Sequence, residues 1–123
     1  MNGNRLFVDT NILLYFLKGD PEVIEMVYDK NLVVSFITEL ELLSFPKISA
    51  ESEQAIKGLL NSCTVIDINP GIKELTIEFR RKAKLKLPDS IIAATAFYSK
   101  LPLLTADKQF QSIEELNVII YEM

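Results

Sequence analysis

The sequence predicts an α/β protein in which helices cover both faces of a parallel sheet. Strand and helix signals alternate along the chain, which is typical of successive βαβ units. The predicted strands are short, continuous apolar runs, and such runs suit strands that are buried on both sides. The 123 residues fit one domain, and no linker or internal repeat divides them, so we expect a single domain over residues 1–123.

Short apolar runs predict the five strands of this sheet. In chain order they are residues 5–8, 32–35, 64–68, 103–104 and 118–120. The first run is β-branched and aromatic and ends at Asp9. The last run is expected to lie at an edge of the sheet.

Six helices are predicted around these strands, and each begins at a residue that can cap or start a helix. The starting residues are Thr10, Asp20, Thr38, Ser49, Asn69 and Pro88. Gly19 ends the first helix and Pro46 ends the third. The fifth helix is supported by apolar residues with helical spacing at Ile72, Leu75, Phe79 and Ala83. The sixth is the most apolar of the set.

Composition narrows the chemistry available to such a domain. Hydrophobic residues make up 49% of the chain and charged residues 24%, as in ordinary soluble globular proteins. The chain contains no histidine, which excludes Ser–His–Asp triads, histidine general bases and histidine-based zinc sites. Its single cysteine, Cys63, excludes an internal disulfide and a four-cysteine zinc site. Catalysis would therefore use carboxylates, amines, hydroxyls, one thiol or a hard metal ion.

Charge is distributed unevenly along the chain. Its 17 acids and 13 bases give a net charge of −4, whereas a basic surface is typical of nucleic-acid binding. Between residues 80 and 86, however, bases follow one another without an intervening acid. This basic stripe comprises Arg80, Arg81, Lys82, Lys84 and Lys86. It is either a solvated helix face or a contact for phosphates.

The sequence also predicts a cytoplasmic protein with no membrane partner. The N-terminus carries one arginine and only a short apolar run, unlike a secretory signal. No stretch approaches the roughly 20 apolar residues that a membrane span needs. One thiol without a disulfide partner fits a reducing compartment.

Four acids lie where predicted strands end or where the following helices begin. Asp9 ends the first strand, and Asp107 lies two residues past the fourth. Glu41 falls in the first turn of the third predicted helix, and Asp89 lies at the N-terminus of the sixth. Because ligands bind at the carboxyl ends of strands in open parallel sheets, we expect these four side chains to meet on one rim.

Each acid also has a purely structural interpretation. Asp9 and Asp89 can cap or begin helices, and Asp107 can be a turn residue. Thr38 and Glu41 have the spacing of a capping box. Four neighbouring carboxylates would nevertheless repel one another unless a divalent cation offset their charge. Oxygen ligands without imidazole or thiolate select Mg²⁺, or Mn²⁺, rather than zinc.

Four motifs around these acids resemble, in order, those of the PIN domain family. They are VDTNIL at 8–13, SFITELEL at 35–42, LPDSIIAA at 87–94 and LLTADKQF at 103–110. The motifs span nearly the whole chain, and the set is far more specific than any single one. The length, with no further domain attached, is similar to that of VapC-type toxins of type II toxin–antitoxin pairs.

The resemblance implies a three-layer α/β/α sandwich with a parallel sheet of about five strands and a metal-dependent endoribonuclease. It places catalytic, metal-binding acids at Asp9, Glu41, Asp89 and Asp107 and supporting polar residues at Thr10, Asn11 and Thr105. Glu39 is a second acid near Glu41, but the spacing from Thr38 favours Glu41.

The resemblance also implies a reaction and partners. Mg²⁺ or Mn²⁺ would activate water for in-line attack on an RNA phosphodiester, leaving a 5′-phosphate and a 3′-hydroxyl. Asp89 or Asp107 could orient this water instead of ligating metal. The stripe runs directly into Asp89, so its RNA-binding candidates are Arg80, Arg81, Lys84 and Lys86. Expected protein partners are a second copy of the chain and a small antitoxin, for which the apolar residues 14–17 could form a groove instead of serving the core.

Other functions fit the sequence less well. A receiver-like, Mg²⁺-binding signalling module needs adjacent acids after its first strand, whereas Asp9 stands alone. A haloacid-dehalogenase-like phosphatase needs Asp-x-Asp there, and Asn11 occupies the second position. The more serious alternative is a PIN domain that binds RNA or takes part in assembly without nuclease activity. The complete set of acids favours the nuclease.

Overall fold

A computed structural model describes residues 4–122, and its five strands form one sheet. The strands are β1 (Arg5–Val8), β2 (Asn31–Ser35), β3 (Thr64–Ile66), β4 (Leu103–Thr105) and β5 (Val118–Ile120). Their order across the sheet is β3-β2-β1-β4-β5, and every pairing is parallel. The prediction of a parallel sheet with its last strand at an edge is therefore confirmed.

Six α-helices connect or flank the strands. They are α1 (Thr10–Leu17), α2 (Pro21–Val27), α3 (Phe36–Leu43), α4 (Ala50–Asn61), α5 (Pro70–Lys82) and α6 (Leu87–Tyr98). A short 3-10 helix, Lys108–Ser112, follows β4. As predicted, Asp20, Ser49 and Asn69 are N-caps whose side chains accept hydrogen bonds from the first turns of their helices. Among residues 4–122, no helix is long and apolar enough to cross a membrane.

The helices cover both faces of the sheet because successive strand residues point to opposite sides. Phe7 and Val33 pack into a core formed with α5 and α6. Val8 and Val34 pack into a second core formed with α1, α2, α3 and α4. All four side chains are fully buried, which explains why the strands are continuous apolar runs. The predicted three-layer α/β/α sandwich is confirmed.

The topology creates a switch point beside β1, the central strand. From β1 the chain builds outward through β2 and β3 on one side, and through β4 and β5 on the other. Connections that leave β1 and β4 therefore separate at the carboxyl ends of these two strands, and a crevice opens between them. Asp9 directly follows β1, and Asp107 follows β4 after one intervening residue.

The start of the third helix was predicted wrongly, and that of the sixth was predicted to within one residue. Helix α3 begins at Phe36, not Thr38, because the Ser35 hydroxyl accepts from the Ile37 backbone N–H and caps the helix. The capping box with Thr38 is therefore not formed, and Glu41 lies in the second turn. Helix α6 begins at Leu87 with no side-chain cap, and of the two structural roles predicted for Asp89 it is the first-turn acid that is observed.

Three other local details differ from prediction. The third strand ends at Ile66, because Asp67 folds back to accept from the Ile68 N–H ahead of the cap of α5. Ala83 is buried as predicted, but it is an extended residue that ends α5. Asp107 is not a simple turn residue, since its side chain accepts from the Gln109 N–H and caps the 3-10 helix.

Candidate active site

A cavity of about 470 Å³ lies at the switch point. Its lining includes all four predicted acids and also polar and apolar neighbours: Asp9, Thr10, Asn11, Leu14, Glu41, Ser44, Phe45, Asp89 and Asp107. The acids come from the ends of β1 and β4, from α3 and from the first turn of α6. The structure therefore brings together side chains from four separate parts of the chain.

Asp9 is the most buried of the four acids, with 5% of its surface exposed. Both of its carboxylate oxygens accept hydrogen bonds at 2.7 Å. The Thr10 backbone N–H donates to Oδ1, so Asp9 caps α1, and the Thr105 hydroxyl donates to Oδ2. These two contacts fix the plane of the carboxylate at the floor of the cavity.

A chain of threonine hydroxyls positions Glu41. The Thr10 hydroxyl donates to Glu41 Oε1 at 2.6 Å, and it lies 2.8 Å from the Thr38 hydroxyl. Since Thr10 has one hydroxyl proton and gives it to Glu41, Thr38 is the donor to Thr10. Thr38 is fully buried, so this contact holds α1 and α3 together beneath the cavity.

Thr105 links Asp9, which follows β1, to Asp107, which follows β4. While its hydroxyl donates to Asp9, its oxygen accepts from the Asp107 backbone N–H at 3.0 Å. The residue is fully buried at the end of β4. Thr10 and Thr105 thus donate hydrogen bonds to acidic residues, and their supporting role in catalysis stays a prediction. Asn11 is exposed and lines the cavity wall.

Burial and mutual repulsion disfavour ionisation of the deeper acids. Burial is the main reason that the pKa of Asp9 is raised from 3.8 to about 6, although its two hydrogen bonds oppose the change and the charges of Asp89 and Glu41 add to it. The pKa of Asp89 is also raised, first by burial and then by the charges of Asp107 and Glu41. The four acids therefore sense one another electrostatically.

The cavity has the chemistry of a hard-cation site without a preformed coordination shell. Its lining contains no lysine or arginine to neutralise the acids. Within residues 4–122, no group of three or more acidic, histidine or cysteine side chains is already arranged to hold a metal ion. Asp9 is fixed by hydrogen bonds to both carboxylate oxygens, and Glu41 by one to Oε1. Carboxylate oxygens that no basic residue of the lining neutralises are suitable ligands for Mg²⁺ or Mn²⁺.

The basic stripe reaches the cavity only at its end. Lys86 is close enough to Asp89 for its positive charge to lower the pKa of that acid. Lys82 instead forms ion pairs with Glu78, at 3.1 Å, and with Glu115. Arg80, Arg81 and Lys84 are exposed, and Arg81 lines a separate shallow groove on α5. Their role in RNA binding stays a prediction.

Sequence reasoning missed several residues of the site. Thr38 has the sequence context of a helix cap, and nothing local distinguishes it from Ser35, which does cap α3. Ser44 and Phe45 line the cavity from the loop after α3. Phe45 is 49% exposed, and an aromatic residue in a loop before a proline is the one available signal for it.

An apolar groove continues from the cavity between α1 and α4. It has a volume of about 590 Å³, and Leu14 and Phe45 belong to both hollows. The other lining residues are Leu17, Lys18, Lys47, Ile48, Ser49, Ser52, Ala55 and Ile56. All four apolar residues at 14–17 are half-buried against the second core, so they serve the core while Leu14 and Leu17 also line this groove.

The chain is thus an α/β protein, a three-layer sandwich with a parallel sheet, in which a cavity lined by carboxylates lies at the switch point. The family model of the PIN domain matches residues 6–116, and the chain belongs to the PIN domain family. The family that the four motifs indicated is thus confirmed. No curated protein matches the chain.

Solved structures with the same fold include toxin–antitoxin complexes. A toxin–antitoxin complex from Klebsiella pneumoniae contains a chain with 32% identity and a TM-score of 0.84, covering 96% of this chain and 99% of that one. VapBC-1 from nontypeable Haemophilus influenzae gives 30% identity and a TM-score of 0.82, with 94% and 97% covered. VapBC2 from Rickettsia felis, bound to a promoter DNA fragment, is 19% identical with a TM-score of 0.85, covering 96% and 99%, and shows the fold alone. The predicted similarity to VapC-type PIN toxins is confirmed, and such toxins are generally nucleases.

Proposed function

We propose that this protein is a metal-dependent endoribonuclease that serves as the toxin of a toxin–antitoxin pair. The observation that carries the proposal is the meeting of four acids in one cavity whose lining contains no basic residue. Such a site attracts divalent cations and repels the phosphates of RNA until a cation is present. Both properties match hydrolysis of a phosphodiester by a cation-dependent enzyme.

The residues of the site divide the work according to their contacts. A hard divalent cation bound there would supply positive charge for the phosphoryl group and a water molecule of lowered pKa. Asp9 and Glu41 would hold the cation, because threonine hydroxyls or backbone N–H groups already orient their carboxylates. Asp107 is partly committed to capping the 3-10 helix. Asp89, with its raised pKa, is the acid best suited to accept a proton from the attacking water.

The first test is RNA cleavage by the purified protein with and without divalent cations. We expect Mg²⁺ or Mn²⁺ to support cleavage of single-stranded RNA to products with 5′-phosphate and 3′-hydroxyl ends, and EDTA to abolish it. Mg²⁺ should also raise the melting temperature, since an ion at about 100 times its dissociation constant stabilises the fold by about 2.7 kcal/mol. Cleavage that persists in EDTA would contradict the proposal. RNA binding without any cleavage would instead support the non-nuclease PIN protein.

We further propose that the apolar groove receives a segment of the antitoxin. The groove adjoins the acid cavity at Leu14 and Phe45, so a polypeptide bound in the groove would contact the wall of the cavity at these two residues. Lys18 and Lys47 at its rim favour a segment that combines apolar and acidic side chains. Of the similar solved structures, one at 32% identity is a toxin–antitoxin complex and another at 30% identity is VapBC-1. The homodimer stays a prediction, which light scattering on the isolated protein would test.

A single charge in this groove should separate antitoxin binding from folding. Ala55 is exposed on α4 and lines the groove, so Ala55→Glu places a carboxylate against the incoming apolar side chains. We expect at least about a tenfold loss of affinity for the co-expressed antitoxin, measured by calorimetry, with unchanged melting temperature. Gln54→Glu is the matched control, because Gln54 is exposed on the same helix and lies outside the groove. Equal affinities for the two variants would show that the antitoxin binds elsewhere.

A further inference from the structure

A second polar hollow adjoins the acid cavity and shares no lining residue with the apolar groove. This side groove has a volume of about 500 Å³ and is lined chiefly by Asn11, Tyr15, Asp107, Lys108, Tyr121 and Glu122. Asn11 and Asp107 line both the side groove and the acid cavity. A polymer whose phosphate lies at the carboxylates would therefore reach the side groove by passing Asn11 and Asp107.

Two tyrosines give the side groove an ordered aromatic wall. The Tyr15 and Tyr121 rings are 6.0 Å apart and tilted by 52°. Tyr121 is buried, its hydroxyl donates to Asp20 Oδ2 at 2.7 Å, and its backbone N–H donates to Thr105 O at 2.8 Å. Tyr15 is only half-buried, so part of its ring is available to a ligand. Partly exposed aromatic rings stack on nucleobases of any sequence.

The lining of the side groove carries one base, Lys108, and two acids, Asp107 and Glu122. Lys108 Nζ lies 3.5 Å from Glu122 Oε1, and the two side chains are 68% and 73% exposed. Exposed ion pairs of this kind are weak, so an incoming phosphate can displace Glu122 from Lys108 at little cost.

We propose that the side groove binds the nucleotide adjacent to the phosphodiester held at the four acids, with its base against Tyr15 and its phosphate on Lys108. The inference rests on the proposed nuclease function and adds a position for the RNA strand. It assigns the strand a path along the 3-10 helix that is separate from the basic stripe at the end of α5 and in the segment that follows it. Asn11, at the junction of the two hollows, is placed to donate to or accept from a base edge.

Binding of a short single-stranded RNA of mixed sequence, labelled with fluorescein at its 5′ end, tests the proposal. Measurements use the Asp9→Asn background with Mg²⁺, in which the proposed nuclease leaves the probe intact. Lys108→Ala should weaken binding about fivefold and make the slope of log affinity against log salt shallower by about 0.7. Glu122→Gln should tighten binding, because it releases Lys108. Tyr15→Leu should weaken binding about tenfold without changing the slope, and Tyr15→Phe should bind as Tyr15 does.

Lys73→Ala is the matched control, since Lys73 is exposed on α5 and lines neither hollow. Equal effects of Lys108→Ala and Lys73→Ala, or no binding of the probe at all, would overturn the proposal. So would a Lys108→Ala variant that loses affinity only for the antitoxin, which would assign the groove to a protein. Cleavage is measured separately, with the chain that keeps Asp9. If this chain does not cleave RNA, the binding results for Lys108 and Tyr15 still test the side groove. If the side groove does not bind RNA, the cleavage result still tests the nuclease.

Discussion

Replacing Asp9 with asparagine is expected to abolish metal-dependent RNA cleavage while the protein stays folded. The substitution keeps the size of the side chain and an oxygen for the Thr10 N–H, but it removes the negative charge at the floor of the cavity. Asp9 is the one acid of the four that is both deeply buried and fixed through both oxygens. Its loss should reduce cleavage by at least about 100-fold at any Mg²⁺ concentration.

The matched control for this experiment is Asp29→Asn. Asp29 is exposed and precedes β2, so it lies at the end of the sheet opposite the cavity, and its substitution changes the net charge equally. Initial rates on one defined RNA, together with circular dichroism of both variants, make the comparison. Near-normal cleavage by Asp9→Asn would remove Asp9 from the machinery and with it the proposed division of roles.

The positions of Asp9, Asp89 and Asp107 were predictable because each is tied to a local pattern, whereas the capping-box pattern assigned to Glu41 is not formed. Asp9 ends an apolar run, and Asp107 follows another, so a parallel sheet alone brings them to one rim. Asp89 follows a proline at the start of the most apolar helix. These signals lie within a few residues of the acid itself. The order of strands then determines which acids meet, and the four motifs of the PIN family supply that order.

The parts that were missed depend on contacts between distant segments. The bond between Thr10 and Thr38 joins residues 28 positions apart, and no local pattern distinguishes it from a capping role for Thr38. The ion pair of Lys82 with Glu115 spans 33 positions and withdraws one base from the stripe. The side groove joins Tyr15 to Tyr121 across most of the chain. Tertiary packing, which periodicity does not encode, decides all three.

The raised pKa of Asp9 was equally inaccessible from sequence, because it follows from the central position of β1. A chain position directly after a strand does not reveal how much solvent reaches it. Strands β2 and β4 flank β1 on both sides, and helices cover both faces of the sheet, so Asp9 at the end of β1 is shielded from solvent. Burial of a carboxylate in such a place costs stability, and that cost is measurable.

The same Asp9→Asn substitution is therefore expected to stabilise the fold at neutral pH. With a pKa of about 6 in the folded protein against an ordinary 3.8, the ionised Asp9 carboxylate costs the folded state about 3 kcal/mol once both states have lost the proton. Below about pH 4 both states hold the proton and the cost vanishes. Between these limits the folded state holds more protons than the unfolded state, so the stability of the unsubstituted protein falls as pH rises. The asparagine variant lacks this contribution.

Urea unfolding at a series of pH values in EDTA measures the difference between the two proteins. We expect Asp9→Asn to be more stable by up to about 3 kcal/mol at pH 7 and to lose most of this advantage near pH 4. Asp29→Asn should show no such pH-dependent gain. A less stable Asp9→Asn variant at pH 7 would mean that the bonds from Thr10 and Thr105 to the carboxylate outweigh its burial. Adding Mg²⁺ should reduce the expected difference in stability between Asp9→Asn and the unsubstituted protein. The cation stabilises the protein with Asp9, whereas in the variant it has lost a ligand. The loss of cleavage and the gain in stability expected of Asp9→Asn therefore share one physical cause, the buried negative charge of this carboxylate.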